Sequence, residues 1–199
     1  MLLPLVMGGW LGLSCSEDDA TVDEFENWQE RNDVFFASLE DSLTNGSGNW
    51  RKIKSFSKNP QEGTGKQTDY IYVKVIPTGF ETSETVSPAL TDSVCVSYQG
   101  RLIPSDVEKN PEGNVFDGTV FGKYDIKTNA TKNFKVSGLV QGFTTALLYM
   151  HRGDTWRVYI PYALGYGSAS QTSVPAYSTL IFDITLYDFS VAGVPLAKF

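Results

Sequence analysis

Apolar and polar positions change their spacing several times along this chain. Residues 2–13 (LLPLVMGGWLGL) are almost wholly apolar and run into Leu13-Ser14-Cys15-Ser16. The run is too short to span a bilayer and has the form of a secretory hydrophobic segment followed by small residues at a cleavage point. A helical period follows. Thr21-Val22-Asp23-Glu24 has the form of a capping box, and Val22, Phe25, Trp28, Phe35, Phe36, Leu39 and Leu43 recur at helical spacing up to Asn45-Gly46-Ser47-Gly48. The apolar face of this helix is expected to pack on the chain's own domain. Residues 49–68 are polar, with Arg51, Lys52, Lys54, Lys58 and Lys66 set among Gly and Pro, and read as a solvated connector.

From residue 69 the period falls to two. Tyr70–Ile76 reads as one strand and Ser93–Tyr98 as another, with Val94, Val96 and Tyr98 on one face and Cys95 buried on the other. Trp156, Val158 and Ile160 alternate in the same way, as do Leu180, Phe182, Ile184 and Leu186. Between them, Val140–Met150 is a short helix with Phe143, Leu147 and Met150 on one side, and Gly153 can take a left-handed conformation beyond its end. The expected class is α+β: an antiparallel sheet covered on one face by the one short helix, preceded by the N-terminal amphipathic helix, with a hydrophobic groove between helix and strands.

Composition narrows the function classes. With 41% hydrophobic and 20% charged residues the chain can bury a core, which excludes a disordered chain or a coiled-coil rod. The net charge of −7 is concentrated: ten of the 23 acidic residues but one of the 16 basic residues fall within 1–41. No basic stripe is available to neutralise phosphates, so nucleic-acid binding is set aside. Cys15 and Cys95 make neither a disulfide framework nor a CxxC pair. His151 is the single histidine and reads as a surface or capping residue at the end of the short helix. No GxSxG occurs, and Gly65-Lys66 lacks the rest of a phosphate loop. A spatial pair of carboxylates stays open, though no Asp or Glu stands out for that role. Any catalysis is therefore expected to use no nucleophile, metal or cofactor.

The strand region contains a run of motifs in a definite order: Val96-Ser97-Tyr98-Gln99-Gly100-Arg101-Leu102, Val115-Phe116-Asp117-Gly118-Thr119, Phe134-Lys135-Val136, Leu139-Val140-Gln141-Gly142-Phe143, Met150-His151-Arg152-Gly153-Asp154, Ile160-Pro161, Leu164-Gly165-Tyr166-Gly167, Val174-Pro175 and Leu180-Ile181-Phe182-Asp183-Ile184. Over residues 69–189 this order closely resembles the FKBP-type peptidyl-prolyl isomerases. The resemblance implies catalysis of rotation about Xaa-Pro bonds. That rotation is slow because twisting breaks amide resonance, with a barrier of about 18–20 kcal/mol. The twisted amide has lost charge separation, so a pocket that strips water from the carbonyl favours it over the planar form.

By the same resemblance Tyr98, Phe116, Phe143 and Phe182 would line the proline pocket, with Phe134, Leu139 and Val174 at its rim. Asp117 would be a buried polar anchor held by neighbouring aromatic hydroxyls, while the Val140 backbone N–H and the Tyr166 hydroxyl would hold peptide carbonyls. Three positions depart from the family's usual pattern. Phe143 stands where Trp is usual, Ala176 follows Pro175 in place of a second proline, and residues 103–114 lengthen a normally short turn as an expected surface hairpin.

The N-terminus in turn resembles a bacterial lipoprotein leader, in which Cys15 would be lipidated, and Ser16-Glu17-Asp18-Asp19 is similar to an export tag of Bacteroidetes-like surface lipoproteins. The expected division is a signal peptide over 1–15, an acidic tether and helix over 16–48, a connector over 49–68, the isomerase domain over 69–189 and a tail over 190–199. The expected partners are proline-containing segments of exported proteins, macrolides of the rapamycin type, and the outer membrane of the cell envelope through the lipid anchor. The alternative is a protein-binding or chaperone module of the same fold with weak turnover.

Overall fold

The computed structural model describes residues 23–46, 48–58, 65–122 and 124–196. The apolar leader, Cys15, the acidic run after it, Thr21 and Val22 lie outside the described residues. In chain order the elements are α1 (Trp28–Asn45), β1 (Trp50–Lys54), β2 (Tyr70–Val75), β3 (Ser93–Leu102), β4 (Val115–Gly118), β5 (Lys132–Lys135), α2 (Gln141–Leu147), β6 (Thr155–Ile160) and β7 (Leu180–Ser190). All strand pairs are antiparallel, in the order β1-β2-β6-β7-β3-β4, and β5 shares the outer edge of β3 with β4. The architecture is α+β, as the period-two segments and the short helix require.

The central pair is β3 with β7, running in register from Val96↔Leu186 to Leu102↔Leu180, with a shift between Cys95 and Val96. Their inward side chains, with Val158 and Ile160 of β6, pack on Leu147 and Met150 from α2 and its C-terminal turn. Helix α2 approaches β6 so closely that a Cβ on Gly142 would lie 2.2 Å from Cγ2 of Ile160. The glycine is what lets the helix backbone rest on the sheet.

The opposite face of the sheet is partly covered too. The β4–β5 connection lies over it: Gln99 donates to the Val120 carbonyl (2.7 Å), Tyr187 donates to the Ile126 carbonyl (2.6 Å), and the Tyr124 hydroxyl joins those of Thr155 and Thr185. This explains why consecutive residues Val94 to Tyr98 are all buried, where alternation alone would expose every second one. Cys95 is a free, buried thiol, and burial raises its pKa.

Two expectations for the N-terminal third are corrected. The basic segment read as a connector contains β1, paired with β2 from Trp50↔Lys74 to Lys54↔Tyr70, with Ile53 buried. Helix α1 starts at Trp28, after an Asn27 in left-handed conformation, so Glu24 lies before the helix and not at its third position. Its carboxylate instead accepts from the Ser105 hydroxyl (2.6 Å) and the Asn114 amide (2.8 Å). Arg31 donates to the carbonyls of Pro104 (2.8 Å) and Ser105 (2.6 Å). The 103–114 insertion is thus a clasp on α1 and its leading turn.

Helix α1 packs on its own domain through Trp28, Asn32, Phe36 and Leu39, with Phe36 edge-on to Tyr72 at 5.1 Å. Two buried hydrogen bonds tie it to the segment just before β7: Trp28 Nε1 donates to Ser178 Oγ (2.8 Å), and Asn32 Oδ1 accepts from the Thr179 amide (2.7 Å).

Candidate functional site: an aromatic cavity between α2 and the sheet

A cavity of about 220 Å³ opens between α2, β3, β5 and β7, lined by Tyr98, Asp117, Lys132, Phe134, Gly138, Leu139, Val140, Phe143, Tyr166 and Phe182. Strand geometry assembles its walls. Tyr98 projects inward from β3, Phe182 from β7 and Phe134 from β5, while Phe143 descends from the first turn of α2. The rings meet edge to face: Phe143 and Phe182 at 5.1 Å, Tyr98 and Phe134 at 5.6 Å, Tyr98 and Phe143 at 6.0 Å. Such contacts use the positive ring edge against the negative face and fix ring orientation. Gly100, opposite Phe182 in the β3–β7 register, makes room for this packing. A Cβ there would lie 2.5 Å from Cε1 of Phe182 and 2.8 Å from Cζ of Phe116.

The polar groups sit at the mouth. Tyr98 donates its hydroxyl to Asp117 Oδ2 (2.9 Å), and the Gly118 amide donates to Asp117 Oδ1 (2.8 Å). Burial first, then donation to Asp117, pushes the Tyr98 pKa far above its ordinary value, so the phenol stays neutral. Burial, with the Asp117 charge nearby, also raises Tyr166, whose side chain remains 38% exposed. Val140 forms the N-cap of α2, and its N–H makes no hydrogen bond among the described residues. Among the described residues no cluster of three His, Cys, Asp or Glu side chains is placed to hold a metal ion.

Eight of the ten site residues read from the sequence line this cavity: Tyr98, Asp117, Phe134, Leu139, Val140, Phe143, Tyr166 and Phe182. The other two do not line it. Phe116 is half-buried against Phe182 at 5.5 Å, and Val174 is buried within the loop closed by its bridge to Gln171. One expectation is corrected: Asp117 is exposed, not buried, and one aromatic hydroxyl holds it. It lies next to last in a short edge strand and is open to solvent. Two lining residues were missed, Gly138 and Lys132. Lys132 had a usable signal, since it lies two residues before Phe134 on one strand and so on the same face.

A wider cleft of about 670 Å³ lies elsewhere, between Phe80, Ile126, Arg152 and Tyr187. It has no set of facing rings, whereas the smaller cavity joins aromatic walls to hydrogen-bonding groups at one opening.

A short helix laid on an antiparallel sheet, with an aromatic cavity between them and a tethered carboxylate at its lip, defines a protein with a small, ring-walled apolar site. The family model for FKBP-type peptidyl-prolyl cis-trans isomerases matches residues 84–187, over half of the chain, and the chain belongs to that family. It is 32% identical over 138 residues to the FKBP-type 22 kDa peptidyl-prolyl cis-trans isomerase of Escherichia coli K12, covering 68% of this chain and 58% of that one. It is 30% identical over 156 residues to the outer membrane protein MIP of Legionella longbeachae, covering 72% and 61%. The chain thus spans about three-fifths of the length of these relatives. The crystal structure of FkpA from Escherichia coli shares the fold with a TM-score of 0.58 at 22% identity, over 85% of this chain and 64% of that one.

Proposed function

We propose that this chain is a peptidyl-prolyl cis-trans isomerase acting on proline-containing segments of exported proteins. The observation that carries the reading is the convergence of Tyr98, Phe143 and Phe182 on a cavity of about 220 Å³, with the Val140 N–H and Tyr166 hydroxyl at its edge. A prolyl ring seated against the three rings leaves the preceding carbonyl in apolar surroundings, and the planar, charge-separated amide loses hydration there. The twisted amide loses less, and that difference lowers the barrier. The Val140 N–H and Tyr166 hydroxyl fix the flanking carbonyls, so that one side of the bond is held while the other turns. Asp117 acts through Tyr98, fixing the wall of the cavity; it does not attack the substrate.

In this reading Cys15 carries the lipid that holds the chain to the outer membrane, and rapamycin-type macrolides compete for the cavity. The name of the Legionella longbeachae relative, an outer membrane protein, supports an envelope location.

The test follows the cis-to-trans relaxation of a short Xaa-Pro peptide with the chain from Ser16 onward, alone and with Asp117→Ala and Tyr166→Phe combined. The parent is expected to accelerate relaxation and the double variant to lose about thirtyfold, as befits two hydrogen bonds of about 1 kcal/mol each. A parent that binds the peptide without accelerating its relaxation would replace the isomerase with a binding module. Labelled palmitate incorporation that disappears in Cys15→Ser checks the anchor.

A further inference from the structure

Strand β5 carries a positive charge to the mouth of the cavity. Lys132 and Phe134 are two residues apart, share a strand face and both line the opening. The Lys132 ammonium lies 5.1 Å from the centroid of the Phe134 ring, within the range in which the ring's negative face attracts a cation. Among the described residues no carboxylate lies within salt-bridge distance of Lys132.

The one carboxylate lining the cavity, Asp117, already accepts from Tyr98 and Gly118. The other lining side chains are uncharged, and so is the whole 165–179 loop that supplies Tyr166. The mouth therefore presents one unpaired cation held against an aromatic rim.

We propose that Lys132 gives the site a preference for peptides with Asp or Glu next to the proline. The proposal rests on the reading above, in that it places the prolyl ring in this cavity. Adjacent Cα atoms are about 3.8 Å apart, so with the ring seated, a neighbouring side chain starts at the mouth, where the ammonium stands. An ion pair open to solvent on one side is worth a factor of about two to five, and salt screens it.

The test compares kcat/KM for peptides with Glu, its uncharged isostere Gln, or Lys directly before proline, and a second series with the same residues directly after it. The readout is the Glu-to-Gln ratio within each enzyme, which cancels any general loss of activity or folded fraction and any gain from apolar burial. The parent is expected to favour Glu over Gln by about two- to five-fold in at least one series. Lys132→Gln brings the ratio to one, Lys132→Glu inverts it in favour of the Lys peptide, and Lys132→Arg restores it. Lys135→Gln, which removes a charge from the opposite face of β5, leaves it unchanged. A parent ratio of one in both series, or a ratio that Lys132→Glu does not move, overturns the proposal. If no peptide is accelerated, the isomerase reading fails, and the same ratio taken from competition binding decides the Lys132 proposal by the same criteria.

Discussion

At the residue scale the site depends on what is missing at position 100 as much as on the rings around it. In Gly100→Ala the added methyl would overlap Phe182 and Phe116, and neither ring can leave without opening the cavity wall. The expected result is a loss of about 1–3 kcal/mol of stability with a fall in catalysis, read by denaturant melts and peptide relaxation. Tyr98 supports a second expectation. Its pKa lies well above the ordinary 10.0, first through burial and then through donation to Asp117, so the neutral phenol persists through neutral and mildly alkaline pH. The pH–rate profile should stay flat over that range, and an alkaline fall removed by Tyr98→Phe would contradict it. The aromatic walls were legible from the sequence because alternation and motif order both mark them. The exposure of Asp117 was not, because whether a residue near the end of an edge strand is covered depends on loops that carry no periodic signal.

Among the elements, α1 was visible and its start was not. Thr21 to Glu24 has the composition of a capping box, but Glu24 is engaged by Ser105 and Asn114 from an insertion about eighty residues away, and no local rule sees that competition. Strand β1 was hidden for another reason. Trp50-Arg51-Lys52-Ile53-Lys54 is basic like many protected edge strands, and its strand state comes from the free edge of β2.

The contact of α1 with that edge gives a pH expectation. Glu40 accepts from Lys52 and from Tyr72, which lower its pKa from 4.5. Its contribution is complete above 4.5 and is lost as pH falls through the lower folded value. Tyr72 is raised from 10.0, by burial and then by its bond to Glu40, so its contribution is complete below 10.0 and is lost as pH rises through the higher folded value. Thermal melts across pH should therefore show a plateau between these limits, and Glu40→Gln should flatten the acid side.

For the whole molecule the order of strands was the least legible feature. Each strand could be read alone, but the β1-β2-β6-β7-β3-β4 order is set by packing on α2 and by pairings between distant segments. The same non-local wiring makes the N-terminal helix part of the domain. A chain lacking residues 1–46 keeps every strand, yet it uncovers Tyr72 and leaves Ser178 and the Thr179 amide without Trp28 and Asn32. It is expected to melt several degrees lower and to lose activity, because the freed segment continues into the loop bearing Val174 and Tyr166. Equal melting and turnover in the two chains would show the helix to be an independent appendage.

The two bonds from Trp28 and Asn32 also run in the opposite direction. Whatever settles in the cavity and stills the 165–179 loop must, by reciprocity of coupling, tighten the grip of that loop on α1. Occupancy of the cavity should therefore be readable far from it, as slower deuterium uptake by the backbone amides of Trp28–Asn45 when a proline peptide is added. The N-terminal helix then serves as a gauge of whether the site is filled.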